Sequence, residues 1–158
     1  MLKIRAAVAG DAALILRFIT DLAIYEEAEA EVVASESDIR DSLFAKDSST
    51  RALICELKGK PIGFAVYFFN YSTWLGKHGL YLEDLYVSPE SRGAGAGKAL
   101  LKHLAQIAVT RNCGRFEWSV LDWNEPAIGF YKSIGALPQD EWVGYRLTGK
   151  ALVELAES

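Results

Sequence analysis

No apolar run in this chain approaches the roughly 20 consecutive residues that span a bilayer, so no membrane association is expected. Cysteine is scarce: Cys55 falls in a strand-like run and Cys113 beside a helix end, and there is no CxxC spacing. That argues against a structural disulfide and against a zinc site. The only histidines, His78 and His103, show no metal-ligand spacing, so both are assigned to the surface and no metal is expected. Basic residues are outnumbered, 17 Lys and Arg against 21 Asp and Glu, for a net charge of -4. Nucleic-acid partners normally require a basic patch, so none is expected, and cationic small molecules suit this balance better. The first thirty residues lack the unbroken apolar core of a signal peptide, because Asp11, Arg17, Asp21 and Glu26 interrupt it, and a cytoplasmic location is expected. Internal repeats, low-complexity tracts and long linkers are missing too.

What is present reads as a packed globule. The composition is 51% apolar and 24% charged over 158 residues, a length that suits one domain, read as residues 1–158. A short strand at Lys3 to Ala6 leads into a helix from about Asp11 to Glu27, where Leu14, Ile15, Phe18, Ile19 and Leu22 form one apolar stripe. Ser35 and Asp38 read as a capping box that opens a second, short helix. Two strand-like runs, "TRALICEL" and "PIGFAVYFFNY", meet through Lys58-Gly59, a hairpin signal, and a third covers 79 to 87. A longer helix follows from about Gly95 to Arg111, with Leu100, Leu101, Leu104, Ala105 and Ala108 on one side and Gly114 as its expected left-handed terminator. Then come a strand from Phe116 to Leu121, a short helix opened by Asn124 with Pro126 in its first turn and closed by Gly135, and a last strand from Trp142 to Thr148. This order predicts an α/β (α+β) chain with a mixed sheet and helices on its faces.

The informative stretch is "YLEDLYVSPESRGAGAGKALL", residues 81 to 101. A P-loop is excluded, because Arg92 stands where its first glycine belongs and Ala99 where the magnesium-binding hydroxyl belongs. The dinucleotide pattern is met at Gly93 and Gly95, but Lys98 occupies the place of the third glycine and the segment follows a hairpin, not the first βαβ strand. The pattern that does match is an Arg or Gln, two residues, then Gly-x-Gly, through Arg92, Gly93, Ala94, Gly95, Ala96 and Gly97. Backbone N–H groups of such a turn point at a helix start, where the dipole favours a pyrophosphate.

Strand, Arg-Gly-x-Gly-x-Gly and helix together resemble the acetyl-CoA motif of the GNAT acyltransferase superfamily. Four blocks in order, "LAIYEE", "YLEDLYV", "RGAGAGKALL" and "WNEPAIGFYKSIGA", are most similar to its spermidine/spermine N1-acetyltransferase, or diamine acetyltransferase, branch, and the likeness covers essentially the whole chain. It implies the GNAT fold, with a mixed, mostly antiparallel sheet and helices on both faces, and acetyl-CoA as acetyl donor. It further implies that the backbone of Leu85, Tyr86 and Val87 pairs with the pantetheine arm. The turn of Arg92, Gly93, Ala94, Gly95, Ala96, Gly97 and Lys98 would hold the pyrophosphate, and Asn124 and Ala127 would touch the cofactor farther along.

Glu83 and Asp84 interrupt an apolar strand. Under strict alternation Glu83 shares a face with Tyr81, Leu85 and Val87, and Asp84 shares the other with Leu82 and Tyr86. An ionised carboxylate in such a setting needs a cation, hydrogen bonds or a raised pKa. Acetylating an alkylamine calls for a carboxylate of this kind: with an amine pKa of about 10.4, only roughly one molecule in a thousand is neutral at pH 7. A base must remove the proton before the nitrogen attacks, and Glu83 is the expected group for binding and deprotonation. The competing reading is a carboxylate that caps a loop or pairs with an Arg.

The resemblance places the general acid at Tyr131, whose phenol can share its proton with a departing thiolate. Periodicity alone would assign Tyr131 to an apolar stripe with Ala127, Phe130 and Ile134. The resemblance also implies Tyr25 and Glu26 at the substrate entrance, Glu117 with Trp118 on the neighbouring strand, and a homodimer, for which exposed aromatics near Trp74 and Trp142 would serve. Trp118 alternates with Phe116 and Val120, which by itself suggests packing, and the run Glu27, Glu29 and Glu31 suits a solvated helix end. Two departures bear on substrate choice: Gly129 where an Asn is common, and Ser133-Ile134 in place of a more basic pair. The branch also takes thialysine and other aminoalkyl compounds. The expected enzyme is thus an N-acetyltransferase acting on a polyamine, diamine or thialysine-like amine by direct transfer. The alternatives are a CoA-binding regulator or scaffold without catalysis and a protein or peptide N-acetyltransferase.

Overall fold

The computed structural model describes residues 1–158, which divide into two compact units, Met1–Ser119 and Val120–Ser158. In the first, β1 (Leu2–Ala6) runs through a single 3-10 turn into α1 (Ala12–Tyr25), and α2 (Glu36–Leu43) follows. The Ser35 capping box forms as read: Ser35 Oγ accepts from Asp38 N at 3.1 Å, and Asp38 Oδ2 accepts from Ser35 N at 2.9 Å. Strands β2 (Thr50–Leu57), β3 (Lys60–Ser72) and β4 (Lys77–Val87) form a meander, with Lys58 and Gly59 both at positive φ in the tight turn. Helix α3 (Ala96–Thr110) then crosses to β5 (Phe116–Trp118). The sheet order is β1-β2-β3-β4-β5, antiparallel except for the parallel β4 to β5 pair, a mixed and mostly antiparallel sheet as the resemblance implied.

Cross-strand partners share a face, which sorts the sheet into two layers. On one face Ala52, Ile54, Phe64 and Tyr86 pack against Ile15 and Phe18 of α1, with the Phe18 and Phe64 rings stacked at 5.5 Å. On the other, Leu53, Ala65, Tyr67 and Leu82 are buried toward the side of α3, whose Leu100, Leu101, Leu104 and Ala108 are buried in turn. Arg5 ties β1 to this framework through two bonds to Asp11, at 2.8 and 2.9 Å, and one to Glu56 at 3.1 Å.

Three expectations are corrected. Helix α3 is terminated by Asn112, at φ +56, with Cys113 N donating to Ala108 O at 2.8 Å; Asn tolerates the left-handed region through its short polar side chain. Gly114 does not have a left-handed φ, and it serves close approach instead: a Cβ there would come within 2.6 Å of Leu75 Cδ1. The strand expected over 116–121 ends at Trp118, and the one expected over Trp142 to Thr148 does not form. That last segment has the aromatic and branched residues of a strand, but a strand needs a ladder, and the second unit contains no other strand for it to join. This unit holds α4 (Glu125–Ser133) and a helix the sequence reading did not anticipate, α5 (Gly149–Glu157), whose Leu152, Val153 and Leu155 are exposed. Asn124 caps α4 and Gly135 closes it at φ +91, both as expected.

Candidate active site

The register between β3 and β4 slips at the two carboxylates. Val66 pairs with Asp84 and Tyr67 with Leu82, so Glu83 is an extra residue on β4, a β-bulge. Strict alternation therefore fails here. Asp84 lies on the face of Val66, Phe64 and Tyr86, toward α1, while Leu82 lies on the opposite face with Tyr67; the two that alternation put together are separated. Asp84 is half-buried and Glu83 exposed. Burial pushes the Asp84 carboxyl up to about 6, and the neighbouring charges of Glu83 and Glu26 push in the same direction. Glu26, the residue that ends α1, is itself half-buried and raised by desolvation. None of these three carboxylates forms an ion pair with a cationic side chain of the chain.

Beyond the bulge β4 has a free edge. The parallel ladder to β5 covers only Leu80, Tyr81 and Leu82, so residues 83 to 87 have β3 on one side and no strand on the other. The glycine turn follows at once. Gly93 at φ +97 and Gly95 at φ +80 take conformations that side chains resist, and they bring the chain into α3 with its first amides unbonded: the N–H groups of Gly93, Gly95, Ala96, Gly97 and Lys98 find no acceptor in the protein. Gly97 has an ordinary φ, and a Cβ there would meet nothing within 4 Å. Nothing inside the protein requires glycine at 97, whereas a group lying against the turn would. The donor set, the Lys98 and Arg92 charges and the open space above Gly97 fit a diphosphate.

Within the first unit several predicted residues lie around this turn. The Arg92 guanidinium lies 5.3 Å from the Tyr25 ring, and its Nε donates to Val87 O at 3.3 Å, which joins the end of α1, the end of β4 and the turn. Glu117 is opposite Tyr81 and so shares the carboxylate face, and Tyr81 Oη lies 2.9 Å from Ser119 Oγ. Trp118 is opposite Leu82 on the other face, edge-on to Phe116 at 4.9 Å, a packing position. In the second unit Asn124 Oδ1 accepts from Ala127 N at 3.4 Å, and Tyr131 is half-buried, its ring at a steep angle to that of Phe130 with centroids 6.0 Å apart. His103, assigned to the surface by sequence, is half-buried against the sheet side of α3.

The feature that sequence reasoning undervalued is Asp84. The signal was available, since two adjacent acids inside an apolar strand cannot both face water under strict alternation, and the one turned inward here is Asp84.

Residues 19–136 match the family described as Acetyltransferase (GNAT) family. The chain is 40% identical over 164 residues to the thialysine N-epsilon-acetyltransferase of Sus scrofa, covering 97% of this chain and 96% of that protein. It is 37% identical over 98% of its length to the spermidine/spermine N(1)-acetyltransferase-like protein 1 of Homo sapiens, of which the match covers 24%. Among solved structures, an integron cassette protein from the mobile metagenome of V. cholerae superposes with a TM-score of 0.83 at 32% identity, over 99% of this chain and 98% of that one.

Proposed function

The chain belongs to the GNAT acetyltransferase family and is an N-acetyltransferase, and from that premise we propose that it acetylates a primary amine of a small aminoalkyl compound of the polyamine, diamine or thialysine kind, using acetyl-CoA. The observation that carries the substrate class is the carboxylate cluster. Glu26 and Glu83 are both within electrostatic reach of Asp84, and none of the three forms an ion pair with a cation of the chain. Gathering uncompensated acids on a half-buried face is unfavourable unless a positive ligand completes the site.

Acetyl-CoA, when bound, supplies the acetyl group as an activated thioester. The free edge of residues 83 to 87 offers backbone donors and acceptors to an amide-bearing arm in the manner of an added strand, and the N–H groups of Gly93, Gly95, Ala96, Gly97 and Lys98, with the Lys98 and Arg92 charges, would hold a diphosphate. Asp84 and Glu83 divide the work that the sequence assigned to Glu83 alone. Asp84, shielded and raised to about 6, is ionised at neutral pH yet basic enough to accept the amine's proton, directly or through a water. Glu83, exposed on the bulge, and Glu26 hold the remaining positive charge of the substrate, with Glu117 and Tyr25 on the approach. Tyr131 is the proton donor to the leaving sulfur, a role that rests on the family resemblance and on its place in "GFYKSIGA". Neither cysteine lies in these motifs, so transfer is direct.

Acetyl-CoA consumption against thialysine, spermidine, putrescine and lysine tests the substrate class. Turnover of at least one is expected; inactivity on all four by folded protein that still binds acetyl-CoA would remove the small-amine reading. A cytoplasmic homodimer belongs to the same proposal. Trp74 at 81% exposure and Trp142 at 67% support an interface, and light scattering at working concentration tests it.

A further inference from the structure

On the face of the sheet opposite the carboxylates lies an open pocket of about 290 Å³, lined by Tyr67, His103, Gln106, Ile107, Thr110 and Arg111. No acidic residue lines it. Tyr67 is only 5% exposed, yet its hydroxyl makes no hydrogen bond within the protein and is not sealed from the pocket. Arg111 is braced at the rim by Phe69, whose ring centre lies 4.9 Å from its guanidinium, and Phe69 packs edge-on to Tyr67 at 6.0 Å. Arg51 is the cross-strand partner of Tyr67 and so stands on the same face. Burial pushes the Tyr67 phenol up while the charges of Arg51 and Arg111 pull it down, so both guanidiniums act on the hydroxyl through space. In a chain with four surplus negative charges, all five ion pairs involve Arg5, Arg40 or Lys150, and these two arginines have no carboxylate.

We propose that this pocket binds the oxyanion of a small molecule, a carboxylate or a phosphate, held by Arg111 and the Tyr67 hydroxyl, with His103, Gln106 and Thr110 as further donors and with Arg51, beside Tyr67 on the same face, adding its charge from outside the lining. One effect opposes it: the pocket sits at the C-terminal end of α3, where the helix dipole presents about half a negative charge. Two full positive charges outweigh that, and guanidinium groups bond oxyanions in a planar fork. The volume falls at the low end for small-molecule sites, so the ligand is a simple acid or phosphate and not a nucleotide. The site is independent of the acetyl-transfer reading, because it uses none of the same residues.

The test is titration of the full chain with inorganic phosphate and, separately, with succinate at constant ionic strength, following the ring resonances of His103. The chain has two histidines, and His78, edge-on to Tyr71 outside the pocket, is the internal control. Saturable shifts of His103 alone are expected with at least one of the two ions, and the ion that saturates identifies the ligand class. Arg111→Gln should weaken binding by about tenfold, and Tyr67→Phe by a smaller factor. Arg51→Gln provides a second charge deletion should Arg111→Gln fold poorly. Linear shifts of both histidines with either ion, or unchanged affinity in a folded Arg111→Gln or Arg51→Gln variant, would overturn the proposal.

Discussion

Asp84 stands across the ladder from Val66, and the next pair along the strands is Leu82 with Tyr67, so the carboxylate reaches the α1 face because Glu83 is left over between them. An extra residue in a strand thus decides which of two adjacent acids is shielded from water and which is not.

Asp84→Asn should lower kcat/KM by roughly a hundredfold or more, the range of a lost general base, while Glu83→Gln should act chiefly on KM. In the parent enzyme kcat/KM should rise with pH through about 6 as Asp84 ionises, and that limb should vanish in Asp84→Asn. Rates of acetyl-CoA consumption between about pH 5 and about pH 8, which bracket a carboxyl raised to about 6, check both points.

The same substitution should stabilise the fold. A carboxyl whose folded pKa is raised from 3.8 to about 6 contributes stability that is fully present below the unfolded value and lost as pH rises through the folded one. At pH 7 the ionised form is a burden on the order of 1 to 3 kcal/mol, which Asn removes. Thermal unfolding at pH 7 should show a higher Tm for Asp84→Asn; a lower one would mean that the carboxylate is held by bonds instead of tolerated for function.

Gly97→Ala separates binding from folding. Its φ is ordinary and a Cβ meets nothing in the protein, so Ala should leave stability unchanged or raise it by about 0.5 to 1 kcal/mol while weakening acetyl-CoA binding. Gly95→Ala, at φ +80, should lose stability as well. Calorimetric titration alongside melting curves distinguishes the two.

On the proposed role of Tyr131 as proton donor to the departing sulfur, Tyr131→Phe should reduce turnover far more than affinity for acetyl-CoA. Single-turnover kinetics with a measured Kd decide it, and unchanged turnover would remove the residue from the mechanism.

Asp11 provides a control away from the site. Its bonds to Arg5 hold its carboxyl below the usual range, so the stability it contributes is present above the unfolded value and disappears as pH falls through the folded one. Asp11→Asn should cost about 1 to 3 kcal/mol at pH 7 and progressively less in acid below about pH 4. Urea unfolding at pH 7 and pH 3, a span of about four units across that titration, gives the comparison.

The parts of the fold that could be read from sequence were those with local causes. The stripe from Leu14 to Leu22 has one helical period, the Ser35 box closes on itself, and Lys58-Gly59 sets its turn without outside help. The glycine turn was legible for the same reason. What could not be read depends on neighbours. Asn112 ends α3 in the left-handed region while Gly114 is needed where Leu75 comes close, and whether Trp142 to Thr148 forms a strand is settled by what stands beside it. The bulge at Glu83 is a property of the β3 to β4 pair and of neither strand alone.

The half-zipped edge from 83 to 87 has a consequence for the protein's fate in a crowded solution. An unfilled row of peptide groups is a docking template for any extended chain, and native sheets commonly guard such rows with charge. Glu83 and Asp84 sit at the mouth of this one, so replacing both by apolar residues should yield a protein that clumps more readily, and acetyl-CoA, on the proposal that it fills this row, should suppress the clumping.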